Sequence, residues 1–256
     1  MNDFNALKVK NDIVDWIRQW FENNGKNCNA IIGLSGGKDS NIVAALCVEA
    51  LGNDRVIGVT LPNVIQTEQD VLNKDLNDIN KLVDCLKIQL ITIPISVAYC
   101  DILANTERVL GGYRNVSDQT RINLAPRIRM ATLYAVSQSL NGRVANTCNL
   151  SEEYVGYSTR WGDNVGDFAP IADLTVTELK ELGKFLNIPY DLVDKTPADG
   201  LCGKTDEDNL GFRYDVLDHY IRTGNCEDKE SKILIDQKHS KNLFKLKPIP
   251  KFDFCS

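Results

Sequence analysis

The strongest chemical signal in this sequence is a short loop rich in glycine, serine and charged residues. It reads Gly33-Leu34-Ser35-Gly36-Gly37-Lys38-Asp39-Ser40 and follows an apolar run typical of a buried strand. Its paired glycines let backbone N–H groups approach an anion, and the helix expected after the loop directs further N–H groups to the same point. The carboxylate of Asp39 repels bare phosphate, so we expect a cation, Mg²⁺, between the two. The loop therefore predicts a site for a magnesium-bound phosphate group.

This spacing is not that of the Walker phosphate loop, which needs a glycine, four residues, and then Gly-Lys-Ser or Gly-Lys-Thr. Here position 32 is isoleucine, and Asp39 separates Lys38 from Ser40. The alternative is a plain glycine turn that opens a helix. A Ser-Gly-Gly-x-Asp-Ser run directly after a predicted strand favours phosphate binding over that alternative.

A second group of polar residues follows another predicted strand, residues 143–147. The run from Asn146 to Glu152 carries an acid placed like Asp39, because both acids follow the carboxyl end of a strand. Two carboxylates that face a phosphate chain are repelled unless a divalent cation lies between them. Asp39 and Glu152 are therefore predicted to bind Mg²⁺. The alternative for Glu152 is an ordinary acid at a helix start.

Strands and helices must position these loops, and the hydrophobic pattern predicts that the two alternate along the chain. Strands are predicted at 29–34, 55–61, 89–95 and 143–147, and helices at 7–23, 40–51, 67–82, 97–109, 123–140 and 227–239. This order predicts an α/β fold, a doubly wound parallel β-sheet with helices on both faces. Ligands bind beyond the carboxyl ends of the strands in such sheets, so the loops after these strands should form the site.

Composition excludes several classes of protein. Lys and Arg total 29 and Asp and Glu total 35, and this net charge of −6 argues against broad, salt-dependent binding of nucleic acid. No apolar stretch approaches the length of a membrane span, and the N-terminal residues lack a secretory signal, so a cytoplasmic protein is expected. The eight cysteines form no C-x-x-C pair, and reduced thiols are expected rather than a zinc site.

Longer motifs connect these features to a known family. The Ser35–Ser40 run resembles the SGGxDS signature of the PP-loop ATP pyrophosphatases. Five further runs resemble the motifs of the ammonia-dependent NAD synthetases: NLAPRIRM (123–130), NTCNLSE (146–152), GYSTRWGD (156–163), DFAPI (167–171) and TDEDNLG (205–211). The resemblance implies an adenine nucleotide alpha-hydrolase-like, Rossmann-like fold. It also implies one synthetase domain over residues 1–256. The long polar, glycine-bearing segment 195–209 predicts a mobile lid, and the length of the chain leaves no room for a glutaminase domain, so none is expected.

The resemblance implies an activity, the ATP-dependent amidation of deamido-NAD by free ammonia, which is the last step of NAD biosynthesis. ATP would adenylate the nicotinate carboxylate with release of pyrophosphate, and ammonia would then displace AMP to give NAD⁺. Mg²⁺ is the implied cofactor. The implied assembly is a homodimer, with no nucleic-acid or membrane partner.

The resemblance also implies roles for individual residues. Asp163 would remove a proton from ammonium, and Lys38 would be the second catalytic residue. The implied ATP-binding residues are Gly33, Leu34, Ser35, Gly36, Gly37, Lys38, Asp39, Ser40 and Thr147. The implied contacts to deamido-NAD are Arg127, Arg160, Asp167 and Lys245, and surface salt bridges are the alternative for the first three of these. The implied metal ligands are Asp39 and Glu152.

Three positions depart from the family pattern. Val176 stands where the family often has a lysine that contacts ATP, Ala198 where it has threonine or serine, and Asn146 where it has glycine. These changes fit a sub-branch with different ATP contacts in the second half of the chain, because the phosphate loop and the predicted metal pair are intact.

Two other functions remain as alternatives. A PP-loop enzyme that acts on tRNA should show a basic face and often paired cysteines. An adenine-nucleotide sensor on the same fold would keep the glycine loop, but it would not need Asp39, Glu152 and Asp163 together.

Overall fold

One parallel sheet organises the protein. The computed structural model describes residues 4–111, 115–195 and 205–252. In these ranges the sheet has four parallel strands in the order β3-β2-β1-β4. The strands are β1 (Asn29–Gly33), β2 (Val56–Thr60), β3 (Gln89–Thr92) and β4 (Gly142–Val144). The order reverses at β1, and the carboxyl ends of β1 and β4 form the position at which such sheets bind ligands.

Helices cover both faces of the sheet, as the sequence predicts. In chain order they are α1 (Ala6–Asn24), α2 (Lys38–Leu51), α3 (Gln69–Leu86), α4 (Ser96–Leu110), α5 (Asp118–Ser139), α6 (Leu150–Val155), α7 (Val176–Gly183), α8 (Asp206–Leu210), α9 (Tyr214–Thr223) and α10 (Lys229–Leu246). Apolar residues of α1, α2, α3 and α7 share one core, and those of α4 and α5 share another. The expected α/β fold is therefore confirmed.

The alternation of side chains along β1 explains why there are two cores. Successive residues of a strand point to opposite faces. Ala30 and Ile32 are fully buried in the core with α1 and α2, whereas Ile31 is fully buried in the core with α4 and α5. Burial of each such isoleucine contributes about 1.5–3 kcal/mol. The two cores fix the strand ends, and therefore the loops that follow them.

A third apolar cluster holds the C-terminal helices beside the sheet. It contains Val155 of α6, Val176 of α7, Leu217 of α9 and Ile235 of α10. This cluster determines where the polar ends of α6, α8 and α10 lie. It therefore brings residues from the last third of the chain to the carboxyl edge of the sheet.

The largest differences from the predicted helix boundaries are at the start of α5 and at the end of α10. Helix α5 begins at Asp118, because the side chain of Ser117 accepts a hydrogen bond from the Thr120 N–H and caps the helix. Helix α10 begins after the cap residue Asp228 and continues to Leu246, where the sequence predicts a basic extended tail from residue 243. Lys245 consequently lies in the last turn of a helix.

Two further expectations concern the lid and the membrane. Most of the predicted lid, residues 196–204, lies outside the described residues, and residues 206–209 belong to α8. Within the described ranges, no helix combines the length and the apolar composition that a membrane span requires.

Candidate active site

The phosphate loop, residues 33–40, connects β1 to α2 in a conformation that requires glycine. Gly36 has a φ of +81°, in the left-handed region, and a Cβ atom there would lie 3.1 Å from the backbone of Asp75 in α3. The Gly37 N–H donates to the Ser35 hydroxyl oxygen at 3.2 Å, and the Ser40 hydroxyl donates to the Gly37 carbonyl oxygen at 3.0 Å. The first N–H groups of α2 have no intrahelical partner, so this loop can bind an anion.

Lys38 and Asp39 form an ion pair at the start of α2. The Lys38 ammonium lies 2.8 Å from Oδ2 of Asp39, and the lysine side chain is only 2% exposed. Burial alone would lower the pKa of Lys38, but the carboxylates of Asp39 and Glu152 outweigh it and raise that pKa. Lys38 is therefore a buried positive charge at the phosphate loop.

Glu152 lies at the start of α6, directly after the loop that follows β4. It completes a capping box, since its carboxylate accepts from the Asn149 N–H and the Asn149 side chain accepts from the Glu152 N–H. Burial and the charge of Asp39 raise the pKa of Glu152 to about 8. Glu152 is thus both the helix-start acid of the alternative interpretation and a close neighbour of Asp39.

These two carboxylates fit a magnesium site. Oδ1 of Asp39 is buried and accepts no hydrogen bond from the described part of the chain. Strands β1 and β4 pair directly, as the predicted proximity of Asp39 and Glu152 requires. Among the described residues, no three Asp, Glu, His or Cys side chains form a complete metal site. Mg²⁺ is typically held by one or two carboxylates together with substrate phosphates, so two carboxylates are a sufficient protein contribution.

Sequence reasoning missed a third acid in this cluster, Asp206. It is the first residue of α8, its side chain is buried, and Oδ2 lies 3.5 Å from the Tyr214 hydroxyl. After burial, the charges of Glu152 and Asp206 are the largest causes that raise the pKa of Tyr214. The sequence offered only a weak signal for Asp206, because acids are common in the first turn of any helix.

Asp163 lies in the irregular segment between α6 and α7. Its Oδ1 accepts a hydrogen bond from the Thr159 N–H at 2.7 Å, and its carbonyl oxygen accepts from the Asn146 side chain at 3.4 Å. Desolvation raises the pKa of Asp163, while the bonds from Thr159 and the charge of Lys245 oppose that rise. Asp163 as a residue is exposed, whereas its carboxyl group is desolvated and held by Thr159.

A second residue that sequence reasoning missed is Arg129 of α5. Its Nε donates to the Leu61 carbonyl oxygen at 3.1 Å, just beyond the end of β2. Burial lowers the pKa of Arg129, and the nearby charge of Asp163 opposes this shift. Arg129 therefore connects the carboxyl end of the sheet to the Asp163 segment.

Three of the predicted substrate residues meet around residues 156–163. Nε of Arg127 donates to the Arg160 carbonyl oxygen at 3.3 Å, and the Arg160 guanidinium lies over the rings of Trp161 and Phe244 at 4.9 and 5.4 Å. Lys245 donates to the carbonyl oxygens of residues 156 and 158 at 2.7 and 2.9 Å. The structure thus gathers Arg127, Arg160 and Lys245 on the segment that carries Asp163.

Asp167 and Thr147 lie close to β4. Oδ2 of Asp167 accepts from the Val144 N–H at 2.7 Å, and Oδ1 accepts from the Tyr134 hydroxyl at 3.2 Å. Both carboxylate oxygens of Asp167 thus bind the protein, and the predicted substrate contact of this residue stays a prediction. Thr147 is partly exposed in the loop between β4 and α6.

Two of the three positions that depart from the family pattern have structural partners. The side chain of Asn146 is buried, and its Oδ1 accepts from the Cys148 N–H at 2.8 Å, which closes the turn after β4. Val176 is buried in the third apolar cluster, where a lysine would be unfavourable. Ala198 lies outside the described residues.

Comparisons with known proteins identify the family of this chain. The family model for NAD synthase matches residues 9–249. The NH(3)-dependent NAD(+) synthetase of Methanocaldococcus jannaschii is 37% identical over 84% of this chain and 80% of that protein.

Two solved structures share the fold. An NMN synthetase from Francisella tularensis superposes with a TM-score of 0.87 at 31% identity, over 98% of this chain and 100% of that one. An NH3-dependent NAD synthetase from Campylobacter jejuni superposes with a TM-score of 0.73 at 27% identity, over 97% of this chain and 99% of that one. The fold is therefore that of the adenine nucleotide alpha-hydrolases, and the chain belongs to the NAD synthase family.

Proposed function

We propose that this protein is an ammonia-dependent NAD synthetase, which converts deamido-NAD to NAD⁺ with consumption of ATP. The observation that carries the proposal is that Asp39 and Glu152 follow the carboxyl ends of two paired strands, and that the charge of Asp39 raises the pKa of Glu152. The names of the curated relatives support the same reaction.

The chemistry follows from the carboxylate of the nicotinate ring, which is a poor acyl donor because oxide is a poor leaving group. Attack of this carboxylate on the α-phosphorus of ATP releases pyrophosphate and forms an acyl-adenylate. Ammonia then attacks the acyl carbon, and AMP leaves with the bonding electrons. The N–H groups of the phosphate loop and the ammonium of Lys38 would stabilise the charge that grows on the pyrophosphate.

Asp39 and Glu152 would hold Mg²⁺. When bound, this ion neutralises phosphate charge and orients the nucleotide. Its presence would also relieve the repulsion that raises the pKa of Glu152.

Asp163 would bind ammonium and take one of its protons. Its pKa is raised by desolvation of the carboxyl group, and Lys245 and Arg129 lie near enough to influence it. A raised pKa makes this carboxylate a better proton acceptor than an ordinary aspartate, which suits a general base. Arg127, Arg160 and Lys245 surround the same segment and would bind the anionic parts of the substrate.

We further propose that the protein works as a homodimer. An apolar groove between β3 and α5 is lined by Ile91, Ile93, Val136 and Leu140, and α4 exposes Ile102 and Val109. Exposed apolar surface of this kind suits an interface with a second copy. The cytoplasmic location stays a prediction from the sequence.

A second candidate function is the amidation of nicotinate mononucleotide to NMN. The observation that favours it is the TM-score of 0.87 to the NMN synthetase from Francisella tularensis, against 0.73 for the ammonia-dependent NAD synthetase from Campylobacter jejuni. The activation and amidation steps would be the same, since deamido-NAD and nicotinate mononucleotide carry the same nicotinate carboxylate.

One experiment tests both functions. The protein is incubated with ATP, Mg²⁺, ammonium and equal amounts of the two acids, and the two amides are separated by chromatography. Predominant formation of NAD⁺ is the expected result, predominant NMN would establish the second candidate, and AMP without either amide would contradict both.

A further inference from the structure

Lys195 has no role in the function proposed above, although it lies against the phosphate loop. Its ammonium donates to the Gly36 carbonyl oxygen at 2.6 Å and to a carboxylate oxygen of Asp78 in α3. A carboxylate oxygen of Asp75 lies 3.9 Å away, and the lysine side chain is only 16% exposed. Lys195 is thus held between α3 and the loop by three oxygen atoms.

The geometry of the peptide bond gives this contact a direction. A trans peptide is planar, so the carbonyl of Gly36 and the N–H of Gly37 point in opposite directions. Within the described residues all peptide bonds are trans. Lys195 holds the carbonyl on the side of α3, and the Gly37 N–H therefore points to the opposite side, where it meets the Ser35 hydroxyl at 3.2 Å.

That opposite side is the one that carries the hydroxyl groups of the loop. The Ser35 and Ser40 hydroxyl oxygens lie 3.5 Å apart, and Ser40 belongs to the first turn of α2. The Gly37 N–H consequently faces the same region as the other donors that the loop offers to an anion.

The peptide between Gly36 and Gly37 could rotate at little energetic cost if no residue outside the loop held it. It lies between two glycines, which adopt positive and negative φ about equally well. A hydrogen bond from a charged ammonium to the Gly36 carbonyl oxygen is stronger than one from a neutral donor, so it can select one orientation.

We propose that Lys195 is a positioning residue for ATP. By holding the Gly36 carbonyl oxygen, it keeps the Gly37 N–H directed at the β- and γ-phosphates. The inference rests on the proposed function in one respect, that the loop binds ATP.

The chain contains a matched control, Lys81. This residue of α3 pairs with Asp191, four positions before Lys195, so it also joins α3 to the segment before residue 196. The pair is more exposed, with side chains 46% and 63% accessible. If Lys195 only anchors that segment, loss of Lys81 should have a comparable effect on ATP binding.

The test compares the affinities of the full-length protein for MgATP and for AMP by calorimetry. AMP lacks the β- and γ-phosphates, so it does not depend on the Gly37 N–H. Lys195→Met is expected to weaken MgATP binding by about tenfold to a hundredfold, the range for a lost hydrogen bond to a charged group, and to leave AMP binding unchanged. Lys195→Arg should recover most of the ATP affinity, and Lys81→Met should match the unsubstituted protein.

The proposal would be overturned by unchanged ATP affinity in Lys195→Met, or by an equal loss of affinity for ATP and for AMP in that variant. It would also be overturned if Lys81→Met lost as much ATP affinity as Lys195→Met. A double variant, Lys195→Met with Asp78→Asn, provides a further test. If it binds ATP as tightly as the unsubstituted protein, Lys195 acts only by neutralising the charge of Asp78, and the proposal is overturned. If Lys195→Met does not fold, Asp78→Asn can replace it, because this change removes one of the groups that hold the Lys195 ammonium. We then expect a several-fold loss of affinity for ATP and no loss of affinity for AMP.

These measurements also separate the inference from the proposed function. A protein that makes neither amide would contradict the proposed function, whereas the difference between ATP and AMP would still be measurable. Unchanged ATP affinity in an active enzyme would contradict only the role of Lys195.

Discussion

At the scale of single residues, the site is a cluster of acids that the fold holds at an electrostatic cost. Burial and repulsion by Asp39 raise the pKa of Glu152 to about 8, and Asp206 adds a third negative charge. Lys38 compensates part of this charge. A site whose acids cannot all ionise without a counter-charge is suited to bind a divalent cation together with a nucleotide.

The first prediction concerns Glu152→Gln and the stability of the ligand-free protein. Between pH 4.5, the ordinary pKa of glutamate, and about 8, the folded protein holds a proton that the unfolded chain has released. Stability should therefore fall as the pH rises through this window. The variant lacks this loss, so without Mg²⁺ its melting temperature should exceed that of the unsubstituted protein by several degrees at pH 8.5, since each unit of pKa shift corresponds to about 1.4 kcal/mol.

At pH 4 the two melting temperatures should agree, because the glutamate is then protonated in both states. The variant should also lose amide formation. A variant that is no more stable at pH 8.5 would show that Glu152 is not destabilised by its surroundings.

The second prediction concerns Asp163→Asn. If Asp163 takes a proton from ammonium, the variant should lose about a hundredfold or more in amide formation, the range for a general base. Formation of the acyl-adenylate should persist, since no proton leaves ammonia in that step. Exchange of labelled pyrophosphate into ATP measures the first step, and a parallel loss of exchange and amide formation would contradict the role.

At the scale of elements, the sequence was sufficient to predict the sheet and the proximity of its loops. The predicted strands become β1 to β4, and their parallel direction follows from the alternation of strands and helices, whereas the pairing of β1 with β4 is known only from the structure. Asp206 could not be predicted in the same way. Its position depends on the apolar cluster that packs α8 against α9, and an acid at a helix start is too common to indicate a site.

The substrate residues show the same limit of sequence reasoning. Lys245 reaches the Asp163 segment because α10 continues to Leu246, seven residues beyond the predicted end. The carboxylate of Asp167 binds the Val144 N–H at the edge of β4, a contact that no local pattern indicates. Contacts between distant segments require the packing of whole elements, which periodicity does not specify.

The third prediction concerns the loop that connects β1 to α2. Gly36→Ala would place a Cβ atom 3.0–3.1 Å from Asp75 and would also force alanine into a left-handed conformation. Gly224 is a matched control, because it also has a positive φ, +73°, but has open space around it. Gly224→Ala should cost about 1 kcal/mol of stability and leave ATP affinity unchanged.

Gly36→Ala should destabilise the protein more than this control and reduce ATP affinity by tenfold or more, because α3 and the loop must separate. Thermal unfolding and calorimetry measure the two effects. Equal behaviour of the two variants would show that the close contact between the loop and α3 has no role in ATP binding.

At the scale of the whole molecule, the proposed dimer depends on the apolar groove between β3 and α5. Ala135 is an exposed residue of α5 on the wall of this groove. The fourth prediction is that Ala135→Arg converts the dimer to a monomer in sedimentation equilibrium, because an arginine would fill the groove with charge.

Ile233 of α10 is 57% exposed and lies outside the groove, so Ile233→Arg serves as the control and should leave the dimer intact. A protein that is monomeric without substitution would contradict the proposed assembly.

If the proposed site is right, Asp39 and Glu152 hold one divalent cation against the phosphates of ATP. A crystal structure with Mn²⁺ and an ATP analogue that cannot be cleaved would show this, because anomalous scattering locates the metal. We expect a peak that both carboxylates contact at about 2.0–2.3 Å, beside the phosphate loop. A peak that contacts neither carboxylate, with the two side chains directed away from each other, would contradict it.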